Sequence, residues 1–277
     1  MQFVKMHGIG NDFIILNCFR QQPDCPENLA KRLCARRFGV GADGLILALP
    51  SKKAHARMRI FNGDGSEPEM CGNGIRCLGR FLYDAGLCRE NPMTVETLAG
   101  VLTLSLEIEN GHARRVTVDM GAPRLDPAQI PVAAASNQVE LEAAGRRLRF
   151  FCVSMGNPHA VTFDLYPEGG EFHRLGALLE RHPAFPRRAN IEFCRVDPDG
   201  GIDVRVWERG DGPTLACGTG ACAVLTAAAS TGRSGRAATI RLPGGALDIR
   251  WADDGHLFMT GPAETVYTGE IDPSDLN

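Results

Sequence analysis

The chain has 277 residues, a formal net charge of −3, 44% hydrophobic residues and 23% charged residues. This composition is typical of a globular protein, and the length is sufficient for two domains of ordinary size. A charge balance so close to neutral argues against a nucleic-acid-binding surface or an anionic membrane partner. No signal peptide and no apolar run of roughly 20 residues is visible, so we expect neither export nor a membrane span.

The first half of the chain is predicted to consist mainly of strands. Short apolar strands at residues 3–6 and 13–16 flank a turn at 7–12, and an amphipathic helix is expected at 26–38. Strands at 45–49 and 58–61 precede a helix that begins at Cys71 and ends at Gly86, a residue suited to a C-terminal cap. Strands at 94–97, 101–108 and 116–120 follow.

The second half repeats this order after about 145 residues, which is typical of a duplicated domain. Strands at 150–153 and 160–163 flank a turn at 154–159, and a helix at 175–181 and a strand at 202–207 follow. A helix then begins at Cys217 and ends at Gly232, and strands at 238–242, 246–251 and 257–259 complete the repeat.

The helical segment 221–229 is apolar on nearly all sides, so we expect it to be enclosed by other elements. We therefore predict an α+β fold of two pseudo-symmetric domains, each a curved, mostly antiparallel sheet wrapped around a central helix. One domain is expected to comprise residues 1–119 plus 265–277 and to carry Cys71. The other is expected to comprise residues 120–264 and to carry Cys217.

Ten cysteines occur in the sequence, but no Cys-x-x-Cys pair, the spacing typical of zinc ribbons and thioredoxin-type centres. Without an export signal, we expect reduced thiols and a cytoplasmic location. Most of the cysteines are expected to be small buried side chains. Cys71 and Cys217 differ, because each opens a predicted helix within a Cys-Gly-polar-Gly sequence.

A cysteine at a helix start has distinctive chemistry. The first N–H groups of a helix have no partner within it and favour negative charge, so we predict a thiol pKa below the usual value of about 8.5. The same N–H groups can bind a carboxylate. We expect the two helix starts to meet at the domain junction, with the ligand between the thiols.

Two thiols on opposite sides of one carbon suit the inversion of a stereogenic centre. One thiolate removes a proton, and the other thiol returns a proton to the opposite face. Backbone N–H groups would stabilise the charge that develops on an adjacent carboxylate. This scheme requires no pyridoxal phosphate, so no cofactor is expected.

Five stretches of the sequence resemble one family. They are residues 6–13, 71–77, 154–159, 207–210 and 216–222, which read Met-His-Gly-Ile-Gly-Asn-Asp-Phe, Cys-Gly-Asn-Gly-Ile-Arg-Cys, Ser-Met-Gly-Asn-Pro-His, Trp-Glu-Arg-Gly and Ala-Cys-Gly-Thr-Gly-Ala-Cys. Together they are similar to diaminopimelate epimerase across essentially the whole chain. The resemblance implies cofactor-independent interconversion of LL- and meso-diaminopimelate, for lysine and peptidoglycan precursor synthesis.

The resemblance also assigns roles to residues. It implies that Cys71 and Cys217 are the acid–base pair and that His159 and Glu208 tune the two thiols. The positions expected to bind substrate are Asn11, Asn62, Gly72, Asn73, Asn157, Asn190, Glu208, Arg209, Gly218 and Thr219. Tyr267 matches a position used in dimer contact, so a homodimer is expected. No metal ligand is implied.

Two positions depart from the family pattern. Gly44 stands where many members carry a glutamine that contacts substrate, and Thr219 replaces the commoner serine while keeping a hydroxyl. The bland interpretations are that His159 only stabilises a turn and that Glu208 and Arg209 form a solvated pair. Two other functions are open: a racemase of the same fold acting on another amino acid, and a non-catalytic thiol protein that binds zinc or responds to oxidation.

Overall fold

The computed structural model of the protein describes residues 1–272 and Ser274. Its helices are α1 (Pro26–Leu33), α2 (Gly72–Asp84), α3 (Gly169–Glu180) and α4 (Gly218–Ser230). Its strands are β1 (Gln2–Gly8), β2 (Asn11–Asn17), β3 (Gly44–Leu49), β4 (Ala56–Asn62), β5 (Met93–Thr97), β6 (Gly100–Glu109), β7 (His112–Asp119), β8 (Gln138–Ala143), β9 (Arg146–Ser154), β10 (Pro158–Thr162), β11 (Asn190–Val196), β12 (Ile202–Glu208), β13 (Gly212–Pro213), β14 (Ala237–Leu242), β15 (Gly245–Trp251), β16 (Leu257–Pro262) and β17 (Glu264–Glu270).

The chain forms two compact units, one of residues 1–119 with the segment that starts at Thr260, and one of residues 120–259. The second boundary therefore lies five residues before the expected one at 265. Two contacts fix residues 260–264 in the first unit: Thr117 Oγ1 is 2.7 Å from Thr260 Oγ1, and Arg76 Nε donates a 3.2 Å hydrogen bond to the Pro262 carbonyl. Part of the predicted segment 265–277 lies outside the described residues.

In the first unit, neighbouring strands follow the order β17, β1, β2, β3, β4, β5, β6, β7. The pairs β2–β3 and β4–β5 are parallel, and the other pairs are antiparallel. Helix α2 packs against β1, β2, β3, β4, β6 and β7. Its residues from Gly72 to Gly79 are all buried, so this helix is the centre of the unit.

In the second unit, the order is β8, β9, β10, β11, β12, β14, β15, with the short β13 also pairing with β12. The pairs β10–β11 and β12–β14 are parallel, and the others are antiparallel. Helix α4 packs against β9, β10, β11, β14 and β15 and is buried from Gly220 to Ala228. The predicted α+β fold, with a mostly antiparallel sheet around a central helix in each half, is confirmed.

The internal repeat has a constant spacing. Helices α2 and α4 both span 13 residues, and every residue of α4 stands 146 positions after its counterpart in α2. The same spacing relates β4 to β12 and the starts of β3 and β11. Cys71 therefore corresponds to Cys217, Asn11 to Asn157 and Gly44 to Asn190, which permits a residue-by-residue comparison of the two units.

Some predicted elements were wrong in extent. Helix α1 ends at Leu33 rather than at residue 38, because the N–H groups of Gly41 and Ala42 donate to the carbonyls of Leu33 and Cys34. Phe38, the last residue of the predicted helix, is 94% exposed. Helix α3 begins at Gly169, six residues before its predicted start. Strands β8, β11 and β17 were not predicted at all.

Candidate active site

Cys71 lies immediately before α2 and has an extended backbone, with φ −136° and ψ 120°. The side chain is partly exposed, and its Sγ lies 3.6 Å from Asn11 Oδ1. Nδ2 of Asn73, the second residue of the helix, donates a 3.2 Å hydrogen bond to the same oxygen. The predicted residues Cys71, Asn73 and Asn11 therefore form one cluster in the first unit.

The Asn11 side chain is positioned by a hydrogen bond to an acidic side chain at the surface. Its Nδ2 donates a 2.8 Å hydrogen bond to Asp43 Oδ2, and this carboxylate also receives a 2.6 Å ion pair from Arg36. Asp43 is 41% exposed, so the network that fixes Asn11 is open to solvent. The amide of Asn11 thereby turns its oxygen towards the thiol of Cys71.

Cys217 occupies the equivalent position before α4, with φ −126° and ψ 106°. Its Sγ accepts a 3.3 Å hydrogen bond from the backbone N–H of Gly220 and lies 3.6 Å from Thr219 Oγ1. In contrast to Cys71, the residue is only 5% exposed. The two predicted helix starts are confirmed, but the two thiols differ in their exposure to solvent.

The lowered pKa that was predicted for a helix-start thiol is wrong for Cys217. Burial raises the pKa of the Cys217 thiol well above its ordinary value, and the carboxylates of Glu208 and Glu192, when ionised, raise it further. Hydrogen bonds from Thr219 and Gly220 lower the pKa but do not compensate. The prediction of a lowered pKa failed because it counted the helix N–H groups and omitted the loss of water around the sulfur.

His159 is fully buried and lies in β10, not in a solvent-exposed turn. Its Nε2 is 3.0 Å from Asn157 Oδ1, and its Nδ1 is 2.6 Å from Glu192 Oε1. Asn157 Nδ2 in turn donates to Thr219 Oγ1 at 3.3 Å. The structure thus links His159, Asn157 and Thr219 to Cys217 through consecutive side-chain contacts within the second unit.

Glu208 ends β12 and lies close enough to Cys217 to affect the thiol electrostatically. Its Oε1 accepts a 2.6 Å hydrogen bond from the Thr214 hydroxyl. Burial raises the pKa of the Glu208 carboxyl, partly opposed by the Thr214 hydrogen bond and by the nearby His159. Glu208 is therefore not part of a solvated ion pair with Arg209.

Asn190 and Arg209 are joined through the backbone. Asn190 is buried; its Nδ2 donates to the Pro158 carbonyl at 3.0 Å, and its Oδ1 accepts from the Arg209 N–H at 2.8 Å. The Arg209 guanidinium reaches outward and donates to the Arg187 carbonyl at 3.2 Å. Asn190 therefore fixes the loop that presents Arg209.

The remaining predicted residues have simpler surroundings. Gly72 and Gly218 are the buried first residues of α2 and α4. Asn62 ends β4 and donates a 3.0 Å hydrogen bond to the Ser66 hydroxyl at the surface. Tyr267, on the largely exposed β17, is 44% exposed and packs edge-on against Phe3 at 6.0 Å between ring centres.

Gly44 has no space for the glutamine side chain that the family resemblance implies at this position. A Cβ at this position would lie 2.9 Å from the Phe61 carbonyl oxygen and 3.3 Å from the Phe13 ring. A glutamine would therefore require the backbone or Phe13 to move. Asn190, the equivalent residue of the second unit, has the amide that this position lacks.

Sequence reasoning missed four polar residues that support the site. Glu192 contacts His159, Asp43 contacts Asn11, Thr214 contacts Glu208, and Glu180 accepts hydrogen bonds from the Trp207 indole at 3.0 Å and the Gly210 N–H at 3.0 Å. Glu192 had one usable signal, since a carboxylate interrupts an otherwise apolar segment. The signal could not be recognised from the sequence, because the strand that contains Glu192, β11, was not predicted.

All ten cysteines lie within the described residues, and none of them forms a disulfide there. In the same part of the chain, no group of three or more His, Cys, Asp or Glu side chains is placed to hold a metal ion. None of the helices found between residues 1 and 272 is both long and apolar enough to cross a bilayer.

The diaminopimelate epimerase family model matches residues 3–125 and 151–266. A diaminopimelate epimerase of Desulfitobacterium hafniense is 52% identical over 278 residues, covering 98% of this chain and 98% of that protein. A diaminopimelate epimerase of Moorella thermoacetica is 52% identical over 276 residues, covering 98% of this chain and 99% of that protein.

Among solved structures, a probable proline racemase from Agrobacterium radiobacter has a TM-score of 0.74 at 18% identity, covering 99% of this chain and 95% of that one. This second likeness concerns the fold alone. The family match and the full-length relatives show that this chain belongs to the diaminopimelate epimerase family.

Proposed function

We propose that the protein interconverts LL- and meso-diaminopimelate by exchanging the proton at one α-carbon between two thiols. One thiolate takes the proton, so that an S–H bond forms as the C–H bond breaks, and the other thiol donates its proton to the opposite face. The observation that carries this proposal is the equivalent placement of two thiols outside any disulfide, Cys71 and Cys217, each directly before a buried helix. The named relatives support the substrate.

The helix starts supply the electrostatic part of the mechanism. As the proton leaves Cα, negative charge develops on the adjacent carboxylate. N–H groups in the first turn of a helix have no partner within the helix and favour negative charge. We assign the backbone at Gly72, Asn73, Gly218 and Thr219 to this carboxylate, where it lowers the barrier most because the charge is largest in the transition state.

The two thiols differ in their surroundings, and Cys217 is the more deeply buried. The pKa of the Cys217 thiol lies well above its ordinary value because the residue is buried beside Glu208. Cys217 therefore holds its proton in the resting protein and acts first as the acid. The route needs no cofactor, because the thiols and the helix starts supply both the proton transfers and the charge stabilisation.

The far end of the substrate carries a second carboxylate and ammonium group. We assign Arg209 to that carboxylate, because a guanidinium binds a carboxylate through two parallel hydrogen bonds. Asn190 fixes the backbone of Arg209. The amides of Asn11, Asn62 and Asn157, which both donate and accept, complete the expected recognition of the amino-acid groups.

We also infer a homodimer and a cytoplasmic location. Val266 and Tyr267 on β17 are 55% and 44% exposed, an apolar pair suited to contact with a second copy. The ten free thiols fit a reducing compartment. Size-exclusion chromatography with light scattering of the wild type and Tyr267→Glu tests the first inference, which predicts that the variant shifts towards monomer.

Substrate choice is tested by incubating the purified protein in D₂O with LL-diaminopimelate and, separately, with proline, lysine and glutamate. We expect deuterium at Cα and formation of the meso isomer only with diaminopimelate. Turnover of a single amino acid without turnover of diaminopimelate would favour a racemase of the same fold and would overturn the proposal.

A further inference from the structure

Glu192 lies in the middle of β11 with a fully buried side chain. Its Oε1 is 2.6 Å from His159 Nδ1, whereas Oε2 is buried and accepts no hydrogen bond from the described residues. Carboxyl groups are almost never fully buried unless they are paired, and burying one in the ionised form without partners is costly. The buried carboxyl of Glu192 must therefore either be needed for folding or serve a purpose other than folding.

The first unit shows that the fold does not require it. The spacing of 146 residues places Phe13 and Ile46 where His159 and Glu192 stand, on strands β2 and β3, which pair in the same parallel register as β10 and β11. Phe13 and Ile46 are 2% and 0% exposed, so an apolar pair fills the same position. Replacing a buried ionisable pair by apolar residues is often neutral or stabilising.

The hydrogen-bond directions around His159 follow from its partners. Asn157 Oδ1 can only accept, so His159 Nε2 carries a hydrogen. In a neutral ring Nδ1 is then an acceptor, and its partner Glu192 must donate. Burial raises the pKa of the Glu192 carboxyl, and His159 and the backbone N–H groups of Glu192 and Ala160 oppose this only in part. Oε2 has no hydrogen bond of ordinary geometry among the described residues. A protonated Glu192 that donates from Oε1 satisfies all of these contacts.

The same directions continue towards Cys217. Asn157 Nδ2 donates to Thr219 Oγ1 at 3.3 Å, so this oxygen is an acceptor in that contact. The Thr219 hydroxyl hydrogen can then point at Cys217 Sγ, 3.6 Å away. In the series of hydrogen bonds that starts at Glu192, each donor therefore points towards the Cys217 sulfur. The final donor, the Thr219 hydroxyl, stabilises a thiolate there.

We propose that Glu192 is a positioning residue: it fixes the Nε2–H form of His159 and thereby points the Thr219 hydroxyl at the Cys217 sulfur. Without the donor at Nδ1, the ring can exchange its proton between the two nitrogens, and the Asn157 amide can rotate. Thr219 then donates to Asn157 instead of to the sulfur. This inference rests on the proposed role of Cys217 as an acid–base group.

Steady-state kinetics of four variants test this series of hydrogen bonds. Glu192→Leu removes the donor and is expected to lower kcat roughly 10–100-fold with little change in KM. Glu192→Gln keeps an N–H donor for Nδ1 and is expected to restore most of kcat. Thr219→Val is expected to lower kcat to a similar extent. Because both losses act through one hydroxyl, the Glu192→Leu/Thr219→Val double variant should lose no more than either single variant.

Cys194→Ala is the matched control, because Cys194 is buried two residues further along β11 and belongs to no part of the chain of contacts. It should retain kcat. A Glu192→Leu variant with normal kcat, or losses that multiply in the double variant, would overturn the proposal.

Histidine ring NMR gives a readout without substrate, so it separates this inference from the proposed function. In ¹⁵N-histidine-labelled protein, the wild type and Glu192→Gln should show a proton on Nε2 of His159. Glu192→Leu should show exchange between the two ring nitrogens. A wild-type ring protonated only on Nδ1, or an unchanged ring in Glu192→Leu, would refute the assignment. An inactive wild type with the expected ring would instead refute the proposed substrate.

A stability measurement separates positioning from folding. The His159→Phe/Glu192→Ile variant copies the apolar pair Phe13 and Ile46 of the first unit and should unfold at the same denaturant concentration as the wild type or higher. Loss of folding in this variant would show that the pair is structural and would contradict the proposal.

Discussion

The two units place equivalent thiols on equivalent helices but surround them differently. Cys71 is partly exposed and contacts Asn11, which an exposed carboxylate holds. Cys217 is 5% exposed and ends a series of hydrogen-bonded polar side chains, of which Glu192 and His159 are buried. Duplication therefore preserved the scaffold and the position of the sulfur, while the polar surroundings and the burial of the two thiols diverged.

This divergence suits a reaction that needs one thiolate and one thiol at the same time. Two interacting thiols lose their protons in two separate steps even when they are identical, and a difference in surroundings decides which sulfur keeps its proton. Burial beside Glu208 raises the pKa of Cys217 and so favours its protonated form. The asymmetry between the units is thus expected to be part of the catalytic mechanism.

The largest effect is expected from removing either thiol. Cys71→Ala and Cys217→Ala should each lower kcat for epimerisation by about 10³–10⁴-fold, since each variant lacks one of two proton-transfer groups. Chiral chromatography of the diaminopimelate isomers measures the loss. Cys222→Ala, inside α4 and fully buried, is the control and should stay active. Normal activity in either single variant would exclude a two-thiol mechanism.

Removing the distal guanidinium should have the next largest effect. Arg209→Ala should raise KM about 10–100-fold with a smaller change in kcat, because a charge-assisted hydrogen bond contributes about 1.5–3 kcal/mol. Steady-state kinetics distinguishes the two constants. Arg187→Ala keeps the backbone carbonyl that accepts from Arg209 and removes only a nearby exposed charge, so its KM should be unchanged.

Neutralising Glu208 should shift the pH dependence of kcat/KM. The ionised carboxylate opposes loss of the Cys217 proton, so Glu208→Gln makes the thiolate easier to form and lowers the pKa of Cys217. The descending, alkaline limb of kcat/KM reports the acid of the free protein. It should therefore shift to lower pH in Glu208→Gln. A shift to higher pH, or none, would contradict the proposed electrostatic effect of Glu208.

The smallest effects should come from paired glycine substitutions in α2 and α4. A Cβ on Gly220 would lie 3.0 Å from Glu192 Oε1 and 3.1 Å from Cys217 Sγ, whereas a Cβ on Gly74 would meet the Ile46 and Ile60 methyl groups at 3.0 and 3.2 Å. Gly220→Ala should lower kcat about 10-fold by displacing polar contacts.

Gly74→Ala should instead affect mainly the free energy of unfolding. Tight contacts with the two isoleucines cost about 1–3 kcal/mol, and the better helix propensity of alanine offsets about 1 kcal/mol. Kinetics and urea denaturation of both variants measure the contrast. Equal losses of kcat would mean that the surroundings of the two thiols are functionally alike.

The sequence predicted what depends on local pattern. The helix starts at Cys71 and Cys217 followed from apolar spacing and from glycines at 86 and 232, which adopt φ values of +70° and +68°. The duplicated fold followed from the repeated order of elements. These features could be predicted because periodicity and helix termination are properties of short segments.

The supporting contacts were not predictable in the same way. Glu192 reaches His159 only because β11 pairs in parallel with β10, and this pairing joins segments more than 30 positions apart. The raised pKa of Cys217 depends on how much water the fold excludes, which no local pattern records. Glu192 and the burial of Cys217 thus required the tertiary structure.

The most direct test of the two-thiol account is the fate of the α-proton in D₂O at low conversion of LL-diaminopimelate. The account predicts one deuterium at the inverted carbon of the meso product, while recovered LL substrate stays unlabelled, because each thiol serves one face. Meso product that retains the original proton, transferred by a single base across both faces, would contradict it.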